Sequence, residues 1–124
     1  MLKQVLIVED SEACAETLQI ALESIPGVET RVIGSPRAAM VAALESHGEI
    51  AAIVTDLHLP QSDGFDLIRQ LRAEPRFARL PILLISGDSD PLLAERALAQ
   101  GADAFFPKPY SPSAVRKKLE QLLC

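Results

Sequence analysis

The sequence predicts an α/β fold, a parallel five-stranded sheet with helices on both faces. The first observation is a set of five short apolar runs, at residues 5–8, 30–33, 50–55, 82–85 and 104–106. The longest, Ile50-Ala51-Ala52-Ile53-Val54-Thr55, is apolar almost throughout. Such a run reads as a strand buried on both faces, because a one-sided strand would alternate polar and apolar residues. The second observation is that helical patterns separate these runs. Strand, helix, strand in sequence makes βαβ units, whose crossovers leave neighbouring strands parallel. The third is where the runs end: Glu9 and Asp10, Asp56, Ser86 and Lys108 stand at the carboxyl ends of four strands. Open sheets of this kind bind ligands beyond that edge, near the switch in strand order.

Each element has its own local signal. The first helix spans residues 13–25, with Ala13, Leu18, Ala21, Leu22 and Ile25 at near-helical spacing, and Pro26-Gly27 ends it. Ser35 caps the second helix and Pro36 takes its first position, with apolar residues running through to Leu44. Asp63-Gly64 opens the third, with Phe65, Leu67, Ile68 and Leu71 inward and Arg69, Gln70 and Arg72 outward. Residues 91–100 form the fourth, closed by Gly101, a residue suited to a left-handed cap. Ser111-Pro112 opens the last, at residues 113–123. No internal repeat or linker interrupts the pattern, so residues 1–124 are expected to form a single domain.

Composition narrows the function classes. A net charge of -5 and a pI near 5.0 argue against holding nucleic acid or an anionic membrane by bulk charge. No apolar run approaches the roughly 20 residues of a membrane span, and Met1-Leu2-Lys3-Gln4 lacks the pattern of a secretory leader. The expectation is a soluble, cytoplasmic protein. Cys14 and Cys124 are too far apart in type of position to suggest a disulfide framework or a metal knuckle. They are read as a small buried thiol and an exposed terminal one.

Asp56 carries the most chemistry. It ends the most apolar strand and precedes Leu57-His58-Leu59-Pro60, so its carboxylate is lifted from the core to the sheet rim. The first strand does the same with Glu9 and Asp10. If the two strands are neighbours, three carboxylates converge, and that cluster calls for a metal. Taken alone, Asp10 or Ser11 could equally be a cap for the helix that follows.

These residues resemble the receiver domain of bacterial two-component response regulators, over essentially the whole chain. The matching motifs are Val8-Glu9-Asp10-Ser11, Thr55-Asp56-Leu57-His58-Leu59-Pro60, Asp63-Gly64, Leu80-Pro81-Ile82, Ile85-Ser86-Gly87, Gly101-Ala102-Asp103 and Lys108-Pro109. The resemblance implies a flavodoxin-like three-layer sandwich with strand order 2-1-3-4-5. It implies Asp56 as phosphoacceptor, with Mg²⁺ held by Asp10, Asp56 and the backbone carbonyl of His58, and with Glu9 acting through water. Lys108 would pair with Asp56 at rest and with the phosphoryl group later, aimed by a cis Lys108–Pro109 bond. Ser86 would turn toward the phosphoryl group, and Phe105 would move as its switch partner or simply pack in the core. Gly87 would leave the pocket slightly open.

The donor implied is a sensor histidine kinase or a histidine phosphotransfer protein. The output implied is a changed face of the fourth helix, fifth strand and fifth helix, presented to a downstream partner or to a second copy in a dimer. The protein would be a signalling phosphoacceptor rather than an enzyme, catalysing its own phosphorylation and slow dephosphorylation. Two rivals differ in class: a phosphorylation-independent receiver-like binding module, and a small aspartyl-phosphate hydrolase. The second usually places another acid two residues after its nucleophile, where this chain has His58. His58 itself reads as an exposed loop imidazole, His47 as a helix-end residue without a function, and Arg116-Lys117-Lys118 as a solvated helix face.

Overall fold

Five strands form one parallel sheet in the computed structural model, which describes residues 2–46, 49–59 and 62–123. They are β1 (Lys3–Val8), β2 (Val28–Ile33), β3 (Ile50–Asp56), β4 (Ile82–Ser86) and β5 (Ala104–Pro107). Their spatial order is 2-1-3-4-5, with every pairing parallel. The helices are α1 (Glu12–Glu23), α2 (Pro36–Glu45), α3 (Gly64–Ala73), α4 (Leu93–Gln100) and α5 (Pro112–Leu123). A two-residue antiparallel pair, His58–Leu59 with Ser62–Asp63, lies between β3 and α3. The predicted fold class is the observed one.

The sheet divides the core in two. Leu6, Val8, Ile53, Ile82 and Leu84 pack against residues of α2, α3 and α4, among them Ala39, Ile68 and Leu93. Val5, Ile7, Val54, Leu83 and Ile85 pack on the opposite side against Leu18, Leu22, Val115 and Leu119 of α1 and α5. Each leucine, isoleucine or valine among them that is fully removed from water contributes about 1.5–3 kcal/mol. A one-residue slip would exchange every side chain between the two layers, so the register is strongly held. This fixes where each strand end points.

Caps follow the sequence closely. Ser11, Ser35 and Asp63 accept backbone N–H groups from Cys14, Ala38 and Asp66, and Gly101 ends α4 at φ 113°. Other expectations need correction. β2 starts at Val28 rather than Thr30, because Gly27 at φ 81° turns the chain and accepts the Lys3 N–H. α1 runs 12–23, leaving Ala13 exposed and Ile25 buried beyond its end. α4 begins at Leu93 rather than Pro91, since Asp90 takes the Leu92 N–H on its side chain and the Leu93 N–H on its carbonyl. Leu44 is exposed, and Cys14 is half-buried rather than buried. Arg116 is not merely solvated: it bonds Ser24 and Glu120, joining α5 to the end of α1. Arg72, expected on the outer side of α3, is half-buried and donates to the Gly101 and Phe77 carbonyls. His47, Pro60 and Cys124 lie outside the described residues.

Candidate functional site

Alternation along two adjacent strands brings Glu9 and Asp56 together. Ile7 and Val54 are register partners and both face α1 and α5. Two residues further on, Glu9 and Asp56 fall on that same side, Asp56 as the last residue of β3 and Glu9 just past the end of β1. Both are nearly sequestered, at 5% and 8% exposure. Paired buried carboxylates need a counterion, and Lys108 supplies it. Its Nζ donates to Asp56 Oδ2 at 2.5 Å and to Glu9 Oε1 at 3.4 Å. The lysine is anchored through its own N–H to the Ser86 carbonyl at 2.8 Å, and the Lys108–Pro109 bond is cis, as the resemblance implies.

The charges answer this geometry. Burial first, and then the Asp56 charge, push the Glu9 carboxyl above its ordinary range, with Lys108 partly offsetting both. Burial works against the Lys108 charge, but the hydrogen bond and charge of Asp56, with Glu9 behind them, outweigh it and push the lysine up to about 12. The ammonium therefore stays charged at neutral pH. In this structure it is the direct partner of Asp56.

The other Asp56 oxygen, Oδ1, accepts the His58 N–H at 3.0 Å. This turn is tight, and Gly64 makes it possible. The Gly64 N–H donates to the Leu57 carbonyl at 2.7 Å, and a Cβ on Gly64 would lie 2.7 Å from the Asp56 carbonyl oxygen. Such a contact cannot be relieved by a flexible side chain. Gly64→Ala should therefore cost about 1–3 kcal/mol of stability, as overpacking does. Urea denaturation measures it, and a change within about 0.5 kcal/mol would mean the turn gives way easily.

An open hollow of about 430 Å³ lies over these groups, lined by Glu9, Asp10, Ser11, Asp56, His58, Gly87, Asp88 and Lys108. Asp10 is exposed on its rim, and its N–H donates to Glu9 Oε2 at 3.2 Å. An added Cβ on Gly87 would meet the Lys108 stem at 3.7 Å, ordinary contact, so the glycine leaves a little space there. Among the described residues, no three His, Cys, Asp or Glu side chains are already drawn together as a metal-holding group. Lys108 stands between two of the acids instead. The donor chemistry nonetheless fits a hard divalent cation that keeps several waters: the Asp10 and Asp56 carboxylates and the His58 carbonyl are all oxygen ligands.

Ser86 and Phe105 belong to the other side of the sheet. Ser86 follows the alternation of Ile82 and Leu84 and is fully buried, its Oγ accepting the Asp88 N–H at 3.0 Å. Phe105, the register partner of Leu84, is half-buried against the α2–α4 layer. His58 is exposed as expected, but its Nε2 lies 3.1 Å from Asp88 Oδ2. The Asp88 carboxyl is held below its ordinary range by the Asp90 backbone N–H first and then by His58. Sequence reasoning singled out neither Asp88 nor the packing role of Gly64. The run Asp88-Ser89-Asp90 after a buried strand was the available signal for the first.

A family model described as "Response regulator receiver domain" matches residues 5–120. The chain belongs to the response regulator receiver family. Among curated relatives, chemotaxis protein CheY1 of Helicobacter pylori strain J99 is 26% identical over 120 residues, spanning 97% of this chain and 96% of that one. The transcriptional regulatory protein GltR of Pseudomonas aeruginosa is 31% identical over 121 residues, spanning 98% of this chain but 49% of GltR. Among solved structures, one of a putative response regulator from Chloroflexus aurantiacus aligns at a TM-score of 0.90 with 27% identity, covering 99% and 98% of the two chains. As a receiver, the chain falls within two-component signalling, a system of histidine kinases and downstream outputs. Among the described residues, no helix of this receiver is long and apolar enough to cross a membrane.

Proposed function

We propose that this receiver accepts a phosphoryl group on Asp56 from a sensor histidine kinase or a histidine phosphotransfer protein. The observation that supports it best is the shared ammonium: Lys108 bridges two buried carboxylates directly beneath an open hollow. An Asp56 oxygen attacks phosphorus, the P–N bond to the donor imidazole breaks, and its electron pair stays with the imidazole. A carboxylate is a weak nucleophile, so positioning and charge neutralisation carry the step. Asp10, Asp56 and the His58 carbonyl would hold Mg²⁺, with Glu9 acting through water. The cation supplies neutralisation of charge on the transferring oxygens. Lys108 passes from Asp56 to a phosphoryl oxygen.

Ser86 then leaves the Asp88 N–H for the phosphoryl group, and Phe105 repacks in response. The face made by α4, β5 and α5 changes and engages a downstream partner or a second copy. Residues 1–124 form one receiver domain that works in the cytoplasm as a phosphoacceptor. It catalyses only its own phosphorylation and its slow reversal.

The test is incubation with acetyl phosphate and Mg²⁺ followed by intact-mass and peptide mass spectrometry. The expected result is one added phosphate, mapped to the peptide containing Asp56. An unmodified chain, or phosphate on another peptide, would overturn the reading.

A further inference from the structure

The outward face of α2 runs against what a lone surface helix prefers. Its inner residues Ala39, Ala42 and Ala43 are buried in the core. Its exposed ones are Arg37, Ala38, Val41, Leu44 and Glu45. A helix that meets only water carries polar residues across such a face. Here the middle is apolar, with Val41 47% and Leu44 38% exposed, and charge stands only at the two ends. Those charges also oppose the helix dipole, which favours an anion in the first turn and a cation in the last. α2 has the cation first and the anion last.

Neither charge is answered within the chain. Among the described residues, Arg37 and Glu45 have no side-chain hydrogen bond or ion pair, and neither does Arg31 of β2. The arginines of α3, α4 and α5, by contrast, are all paired. Arg31, Arg37 and Glu45 share one open groove of about 460 Å³, with Ala38, Val41 and Ala42 as its apolar wall.

We infer that this face binds a second copy of the chain, α2 against α2, about a two-fold axis beside Val41. Arg37 and Glu45 lie four residues to either side of Val41, about 6 Å along the helix in each direction. Antiparallel packing about that midpoint brings Arg37 of each copy level with Glu45 of the other. Val41 meets Val41 of the second copy, and Ala38 and Leu44 complete the apolar strip. Arg31 adds a second cation in the groove that receives the incoming carboxylate. An isologous interface requires a surface that complements itself in this way. With a net charge of -5, the chain is poorly suited to hold nucleic acid there instead.

The contact is separate from the α4, β5 and α5 face. α2 packs beside β1 and β2 at one border of the sheet, and α4 beside β5 at the other. The association therefore needs no phosphoryl group, and its test does not depend on the reading of Asp56. One pair of ten-residue helices falls below the roughly 1,200 Å² of a standard interface, so the dimer is a transient one.

Sedimentation equilibrium of the full chain, without Mg²⁺ or phosphodonor, measures it. A dissociation constant on the order of 0.1 mM is expected, rising with salt. Reversing one charge acts twice in a two-fold contact, so Arg37→Glu and Glu45→Arg should each weaken association about tenfold. Val41→Asp should abolish it. Both reversals agree with the helix dipole, so these variants keep their fold. The sharper arm mixes them. Arg37→Glu puts two acids on this face and Glu45→Arg two bases, so an equal mixture should form a heterodimer although neither variant pairs well with itself. The variant carrying both reversals should regain most of the self-association. A wild type still monomeric at about 1 mM would overturn the inference, as would α2 variants that associate like wild type or a mixture that fails to pair. Association lost in Leu98→Glu, on the exposed side of α4, but kept in the α2 variants would place the contact there and overturn it too.

Discussion

Asp56→Asn should take up no phosphate from acetyl phosphate and Mg²⁺, while wild type gains one. The amide is nearly the same shape as the carboxylate; its single oxygen can accept only one of the His58 and Lys108 bonds, but the change lies at the sheet rim and leaves both core layers intact. The fold should therefore survive, and the loss reports chemistry. A neutral amide oxygen neither attacks phosphorus nor offers a hard anionic ligand to a cation. The second consequence is thermal. In wild type, millimolar Mg²⁺ should raise the melting temperature, because only the folded chain assembles Asp10, Asp56 and the His58 carbonyl. At tenfold excess over its dissociation constant, a ligand adds about 1.4 kcal/mol, or roughly 4–7 °C for a domain of this size. Most of that rise should vanish in Asp56→Asn. Calorimetry with and without Mg²⁺ measures it, and phosphate on the variant would sink the assignment.

Arg72→Ala should be among the most destabilising single changes outside the two core layers. Its guanidinium donates to the Gly101 carbonyl through Nε at 3.0 Å and Nη2 at 2.7 Å, and to the Phe77 carbonyl through Nη1 at 2.9 Å. It also reaches Asp103 Oδ2 at 3.2 Å, and that oxygen accepts the Ile82 N–H at 2.8 Å. One side chain thus ties the end of α3 to the end of α4 and to the starts of β4 and β5. With 20% of the side chain exposed, water cannot replace all of these bonds. Hydrogen bonds to a charged group are worth about 1.5–3 kcal/mol each, though not additively. A net loss of about 3 kcal/mol is expected, equivalent to roughly 10 °C in melting temperature. Lysine should rescue only part of it, since it lacks the planar fork. A loss below about 0.5 kcal/mol in urea denaturation would show the network to be decorative.

Arg72 also shows where reading the sequence stops. The apolar runs and their caps revealed the fold, because strand and helix periods are local. The site was legible for the same reason: Glu9 and Asp56 each end a buried run, and alternation sends both to one side of the sheet. Helical spacing put Arg72 on the outer side of α3, yet its partners are Gly101 and Asp103, about thirty positions away. Nothing periodic announces such a bond. The His58–Asp88 contact spans 30 positions and is hidden in the same way. Gly64 looked like a helix opener, and its closeness to the Asp56 carbonyl emerges only when β3 and α3 are packed.

The sheet has two open borders, β2 on one side and β5 on the other. An uncovered border invites another chain to zip on by backbone pairing, and charge or proline discourages it. β2 carries exposed Glu29 and Arg31, and β5 ends in Pro107 with Pro109 just after it, neither with an N–H to offer. The amide between them, Lys108 N–H, is already spent inward on the Ser86 carbonyl. A visitor arriving beside β5 thus finds little backbone to grip and has to recognise side chains, the part of the surface that a small internal rearrangement can rewrite.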